Sequence, residues 1–241
     1  MKYTLTANKK EIEGGITLTQ VLYEDGVLGG WIEKESNLSQ YGNCRILNNA
    51  MVYGNAWVTE DALVYEDARV FGNALVYGNA KVYGSARVYG NSVVFGNAHV
   101  FGDSLVFGNA QVCEASWIFG NAQVYGNALL YGNAQVYGKA RVYGSAQVYG
   151  YARIYGNAQV FGDARVYGNA IITNYGDIIH VSMFPYTITI TPQNIVIGCQ
   201  LRERFGKNQW TSKDKDATPE LIKKYAPVLK FLKNMVPRKR T

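Results

Sequence analysis

An all-β fold, a parallel β-helix, is what this sequence predicts, and three observations carry it. Between Tyr41 and Ile172 the chain runs in an unbroken six-residue frame, aromatic-Gly-Asn-Ala-x-Val, through 22 hexads. Every fourth position of that frame is Ala, Ser or Cys and every sixth is Val, Ile or Leu. The second position is Gly in 18 hexads and the third is Asn or Asp in 17, the residue types that enter the left-handed backbone region at least cost.

The small and the branched residue flank one arbitrary position, so on a short strand they face the same way. That is period-two alternation renewed every six residues, and helical spacing fits none of it. Each hexad is therefore a strand followed by a bend. Three bends of about 120° close a coil of about 18 residues, which gives about seven coils and a prism ~35 Å long at the usual strand spacing. The Ala leaves room for the Val inside a narrow tube. Each buried Val contributes about 1.5–3 kcal/mol of transfer free energy against the cost of ordering the chain.

The first position is aromatic in 19 hexads, the exceptions being Leu47, Thr59 and Cys113. Positions 18 apart share a corner, so Tyr53, Phe71, Tyr89, Phe107, Tyr125, Tyr143 and Phe161 are expected to form one ladder of stacked rings. The fifth position faces outward. On one face it begins Trp57, Leu75, Val93, an apolar stripe of the kind that marks a contact surface, here for a homo-oligomer. The other two faces mix basic, amide and apolar residues, and one of them carries His99 and Trp117.

An open β-helix exposes core at each end, so both ends need covers. Residues 1–40 read as an N-terminal cap, 41–172 as the repeat, and 173–241 as a C-terminal module. In the cap, Ile16–Val21 alternates like a strand, Gly29–Glu33 leads in, and Leu38 falls in the small slot of a degenerate first turn. In the C-terminal module, Ile178–Met183, Thr187–Thr191 and Ile195–Gly198 read as three short strands. Thr218-Pro219-Glu220 then reads as the start of an amphipathic helix with Leu221, Ile222, Tyr225, Leu229, Leu232 and Val236 on one face.

The net charge is +6, and it is unevenly placed: residues 173–241 carry twelve basic and five acidic groups, while the repeat carries eight and seven. Arg202 and Arg204, with Trp210, Lys223, Lys224 and Tyr225, are the candidate ligand-binding residues. Their partner would be anionic: a nucleotide-like small molecule, an acidic protein surface or, more weakly, nucleic acid. The chain holds two histidines, too few for a three-histidine zinc site. No metal or cofactor is expected, and no Ser/His/Asp set, phosphate loop or CxxC pair is present. Glu60-Asp61 and Glu66-Asp67 read as solvated bends. Cys44, Cys113 and Cys199 are odd in number and lack metal spacing, which reads as reduced thiols in a cytoplasm. No apolar run is long enough for a membrane span.

Gln20-Val21, the stretch from Gly29 to Glu33, Asn37-Leu38-Ser39, the Tyr-Gly-Asn-Ala hexads, Gly176–Ile179 and Ile197-Gly198-Cys199 together carry a resemblance. Over nearly the whole chain it resembles a family of hexapeptide-repeat proteins from phages, prophages and enteric bacteria. The resemblance implies a left-handed coil, a trimer, and a host cytoplasm for a phage-encoded member. Members are labelled transferases, which implies acyl transfer from CoA with His99 as general base. Hexapeptide acyltransferases break the repeat with a loop that closes the site, and these 22 hexads contain none. The favoured expectation is a non-enzymatic oligomeric binding protein. Acyl transfer through His99 and a purely structural, self-associating role are the alternatives.

Overall fold

The computed structural model describes residues 1–181, 188–191, 194–197 and 200–203. Three longer strands open the chain: β1 (Tyr3–Ile12), β2 (Ile16–Tyr23) and β3 (Leu28–Ile32). They are followed by 22 two-residue strands, one per hexad, from β4 (Arg45–Ile46) to β25 (Ile171–Ile172). Each short strand pairs in parallel with those 18 residues before and after it, as Lys81 does with Leu63 and His99. Three parallel sheets therefore run along the prism. The chain is an all-β parallel solenoid of about eight coils.

The alternation within each hexad places the core. Every fourth-position and every sixth-position side chain from Cys44 to Ile172 is buried, with Ala or Ser stacked on Ala or Ser and Val on Val. Between the strands, all 22 second positions have φ between 55° and 75°. The four that are not glycine, Asn48, Glu60, Glu66 and Glu114, are the non-glycine residues of positive φ among the described residues. The bend geometry is thus set by the frame, and glycine is its commonest occupant rather than its requirement.

The first coil corrects the expected register. Trp31 and Ile32 pair with Met51 and Val52, and Leu38 bridges to Val58, an offset of 20 residues instead of 18. Leu38 therefore stands in the branched slot, where its volume fits, and not in the small slot. The two extra residues widen the corner between Leu38 and Cys44, and Tyr41 is left 85% exposed outside every ladder. This coil is also why there are about eight coils and not seven. Above it, β1 and β2 form an antiparallel hairpin that continues one of the long sheets. Tyr3 and Tyr23 plug the open end: the Tyr3 hydroxyl donates to Leu38 O at 2.8 Å, and the Tyr23 hydroxyl accepts from Ile46 N at 2.6 Å. Strand β1 was not foreseen, because its TLTANKKE stretch is mostly polar and exposed.

At the other end Asp177 gathers the last turn, its Oδ2 accepting from Thr173 N and Thr173 Oγ1 at 2.7 Å and from Asn174 N at 3.0 Å. A four-stranded antiparallel sheet follows in chain order: β26 (Ile179–Val181), β27 (Ile188–Ile190), β28 (Asn194–Ile197) and β29 (Gln200–Glu203). The first three match the expected strands, and β29 is added, its Arg202 paired with Ile195. With one apolar residue in four, Gln200–Glu203 carries no strand alternation of its own. Ile188, Thr189 and Ile190 are buried, and Thr189 Oγ1 accepts from Arg165 N at 3.1 Å, closing a ladder bond where the coils run out. The expected helix from Thr218 lies outside the described residues.

Candidate functional site

The repeat offers three corners and three flat faces, and their differences locate candidate sites. The first corner holds the expected ladder. Its rings from Tyr53 to Tyr143 stack at 4.8–5.0 Å, Phe161 follows at 5.6 Å, and Tyr175 adds a last rung at 6.1 Å. Beside it, the amides of Asn55, Asn73, Asn91, Asn109 and Asn127 bond in series, each Nδ2 donating to the next Oδ1 at 2.9–3.1 Å. A second unbroken ladder runs from Tyr65 to Tyr155 on another corner. The remaining corner begins at Thr59 and is interrupted by Cys113, with stacks of Tyr77–Phe95 on one side and Tyr131–Tyr149–Tyr167 on the other.

The glutamates in the bends have a structural role that sequence reading missed. Glu60, Glu66 and Glu114 each place Oε2 on the backbone N–H of the glycine 18 residues later, at 2.9, 2.8 and 2.9 Å. Glu33 caps the N–H of Gly54, 21 residues later across the wider first coil, at 2.6 Å. A carboxylate accepting a backbone N–H is a strong hydrogen bond, and it ties one coil to the next. At three of the four non-glycine bends the preceding residue is not aromatic: Leu47, Thr59 and Cys113. There the coil-to-coil contact passes from stacked rings to a polar side chain. The Cys113 thiol is buried, and burial with Glu114 beside it pushes its pKa up to about 11. The signal was available as Glu at a Gly position followed 18 residues later by Gly.

Of the predicted contact residues, Trp57, Leu75 and Val93 lie side by side in one sheet, in register. Trp57 is 47% exposed and the other two are half-buried. His99 lies on a different face, between Lys81 and Trp117. Its ring stacks on Trp117 at 5.1 Å and meets Tyr83 edge-on at 6.1 Å. Burial and the neighbouring Lys81 hold its pKa below the ordinary histidine value and so favour the neutral imidazole. Its Nδ1 is buried with no hydrogen-bond partner among the described residues. No group of three His, Cys, Asp or Glu that could hold a metal comes together among the described residues. Arg202 sits in β29, and of its side chain nothing is described. Arg204, Trp210, Lys223, Lys224 and Tyr225 lie outside the described residues.

One surface groove, of about 430 Å³, is lined by Asn133, Gln135, Tyr151, Arg153 and Asn169. It lies where the interrupted corner meets the face that carries His99. Tyr151 occupies the third position of its hexad, where 17 others have Asn or Asp, and the residue is 66% exposed.

The family model of the YdcK Beta solenoid repeat matches three segments, residues 68–84, 122–136 and 134–150. The chain is a β-solenoid repeat protein. All three segments fall within the 22 hexads, so the likeness is to the repeat and not to the capping modules. No curated protein matches the chain. Among the described residues no helix is long and apolar enough to cross a membrane.

Proposed function

We propose that this chain is a non-enzymatic binding protein: a rigid prism, left-handed by its resemblance to hexapeptide-repeat proteins, that associates with copies of itself and carries an anionic ligand. The observation that supports this best is the stripe Trp57–Leu75–Val93. Three apolar side chains stand in register on a flat parallel sheet, with a half-exposed tryptophan at one end. A flat, rigid surface loses little entropy on association, so even a modest apolar stripe stabilises a contact. The trimer is what the resemblance to hexapeptide-repeat proteins implies. The anionic ligand, nucleotide-like or an acidic patch on a host protein, would be held by the basic C-terminal segment through Arg202, Arg204, Trp210, Lys223, Lys224 and Tyr225.

A second reading is acyl transfer from CoA with His99 as base, and the neutral imidazole favours it. Against it, the neighbours of His99 are rings and a lysine, and among the described residues Nδ1 meets no carboxylate or carbonyl that would orient it. Light scattering on the full chain tests the proposal. A multimer at micromolar concentration that dissociates in Trp57→Glu is the expected result. A monomeric wild type overturns the self-association, and a multimer indifferent to Trp57→Glu removes the stripe as its surface.

A further inference from the structure

We propose that the groove around Tyr151 binds an acidic oligosaccharide, a ligand site separate from the C-terminal basic segment. The case begins with what the fold does not require. Tyr151 N donates to Gly168 O at 2.9 Å, the same ladder bond that Asn133 N makes to Gly150 O at 2.7 Å. The bend therefore has its ordinary backbone, and other hexads build it with Asn, Asp, Ser, Ala or Lys in this position. Nothing in the coil needs a tyrosine there. The ring is an addition to the surface, and it stands 66% exposed between the amides of the neighbouring coils, Asn133 and Asn169.

The groups that share the groove define the chemistry. The exposed ring offers a flat apolar face, suited to the C–H face of a pyranose. Asn133, Asn169 and Gln135 each carry a donor and an acceptor on one planar amide, which matches a pair of adjacent hydroxyls. Arg153 stands next to Gln135 in the parallel ladder, exposed, and forms no ion pair among the described residues. Its guanidinium fork suits a carboxylate, taken in two parallel hydrogen bonds. A few polar groups converging beside one aromatic surface is the usual make-up of a small-ligand site. One cation among amides, on a repeat that is close to neutral, argues against nucleic acid, whose binding rests on many phosphate contacts. A sugar acid asks for one.

The same face carries a second platform. Trp117, Gln135 and Arg153 are successive neighbours in one parallel sheet, so Trp117 lies two coils, about 10 Å, from Arg153 along the axis. Trp117 is 41% exposed, and its ring is held in place by the stack on His99. A chain of sugars laid along the prism meets Trp117 at one end and Tyr151 with Arg153 at the other. The solenoid fixes both platforms on one rigid strip, so little ordering is left for binding to supply.

The test is calorimetry or tryptophan fluorescence on the full chain with tetragalacturonate as probe, maltotetraose as its neutral counterpart and a single-stranded oligonucleotide as control. Saturable binding of tetragalacturonate is expected, with maltotetraose at least tenfold weaker. Tyr151→Asn restores the commonest residue of that position and so preserves the fold; it should weaken binding tenfold or more. Arg153→Gln should remove the preference for the acidic sugar. Arg202→Ala, in the segment assigned to the other ligand, should change nothing here. No saturable binding of tetragalacturonate, or binding unchanged by both Tyr151→Asn and Arg153→Gln, overturns the proposal.

Discussion

The corner that runs from Tyr53 to Phe161 and the corner that runs from Thr59 to Tyr167 are built on one backbone and make opposite use of it. In the first, every coil supplies a ring, a glycine at φ near 70° and, through Asn127, an amide in an unbroken series. In the second, Thr59-Glu60, Cys113-Glu114-Ala115 and Tyr151 all depart from the frame. The first corner is a periodic structural seam, and any one of its coils offers a ligand what the next one offers. The second exchanges ring stacking for carboxylate caps and then presents an isolated tyrosine. Selective recognition needs convergent, irregular groups, so departures from the repeat are the place to look for function. The repeat itself reports only the fold.

The largest expected effect lies beneath both corners. Ala128 follows the uniform corner and Ala134 the irregular one, and both are fully buried. Leu in either slot overfills a tube whose walls are parallel sheets with no freedom to separate locally. Each of Ala128→Leu and Ala134→Leu should cost about 1–3 kcal/mol or more, read as equal falls in urea midpoint. A marked inequality would show that the irregularity of the second corner reaches the core.

A smaller effect separates the two kinds of bend. At Gly126 (φ 72°) an added Cβ would stand 3.0 Å from the backbone N of Gly144. Gly126→Ala therefore combines crowding with the left-handed strain of an L-residue, about 1–2 kcal/mol. Gly126→Glu adds the same Cβ but brings a carboxylate that can accept the Gly144 N–H, as Glu114 accepts from Gly132. The larger side chain should be the less harmful by about 0.5–1.5 kcal/mol, the ordinary contribution of a hydrogen bond. Thermal unfolding of the two variants decides it. If Glu is as costly as Ala, the carboxylate contact is incidental, and the contrast between the corners loses its physical basis.

The sequence makes the interior of this protein legible because the interior is a pattern: Ala and Val columns, bends at fixed spacing and rings 18 apart can all be read before any coordinate. What escaped reading escaped for definite reasons. Leu38 was placed in the wrong slot because two extra residues between Leu38 and Cys44 shift the register, and spacing alone cannot show on which side of a strand an insertion falls. The glutamate caps were read as solvent-facing charge because their partner is a backbone N–H, which has no letter in the sequence. Strand β29 has no alternation to announce it. In the sequence Tyr151 marks only one of five hexads without Asn or Asp at the third position; the groove beside it gives the exception a meaning.

The smallest effect concerns His99, where the regular stacking of a face meets a titratable group. Its pKa in the folded chain lies below the ordinary value, because burial and Lys81 both oppose the charged form. The unfolded chain, with a histidine pKa of about 6.5, therefore takes up this proton first as the pH falls. Stability contributed by the neutral ring is fully present above about pH 6.5 and declines below it until the folded pKa is passed. His99→Gln should lower stability slightly at pH 8, where the ring's stack on Trp117 is lost, and should flatten the decline below about pH 6.5, a small difference because the ring is only partly buried. The same variant should leave binding at the C-terminal basic segment as in the wild type, since in this reading the imidazole only spaces Lys81 from Trp117. A hundredfold loss of activity with the fold intact would give His99 a chemical role and return acyl transfer to the front.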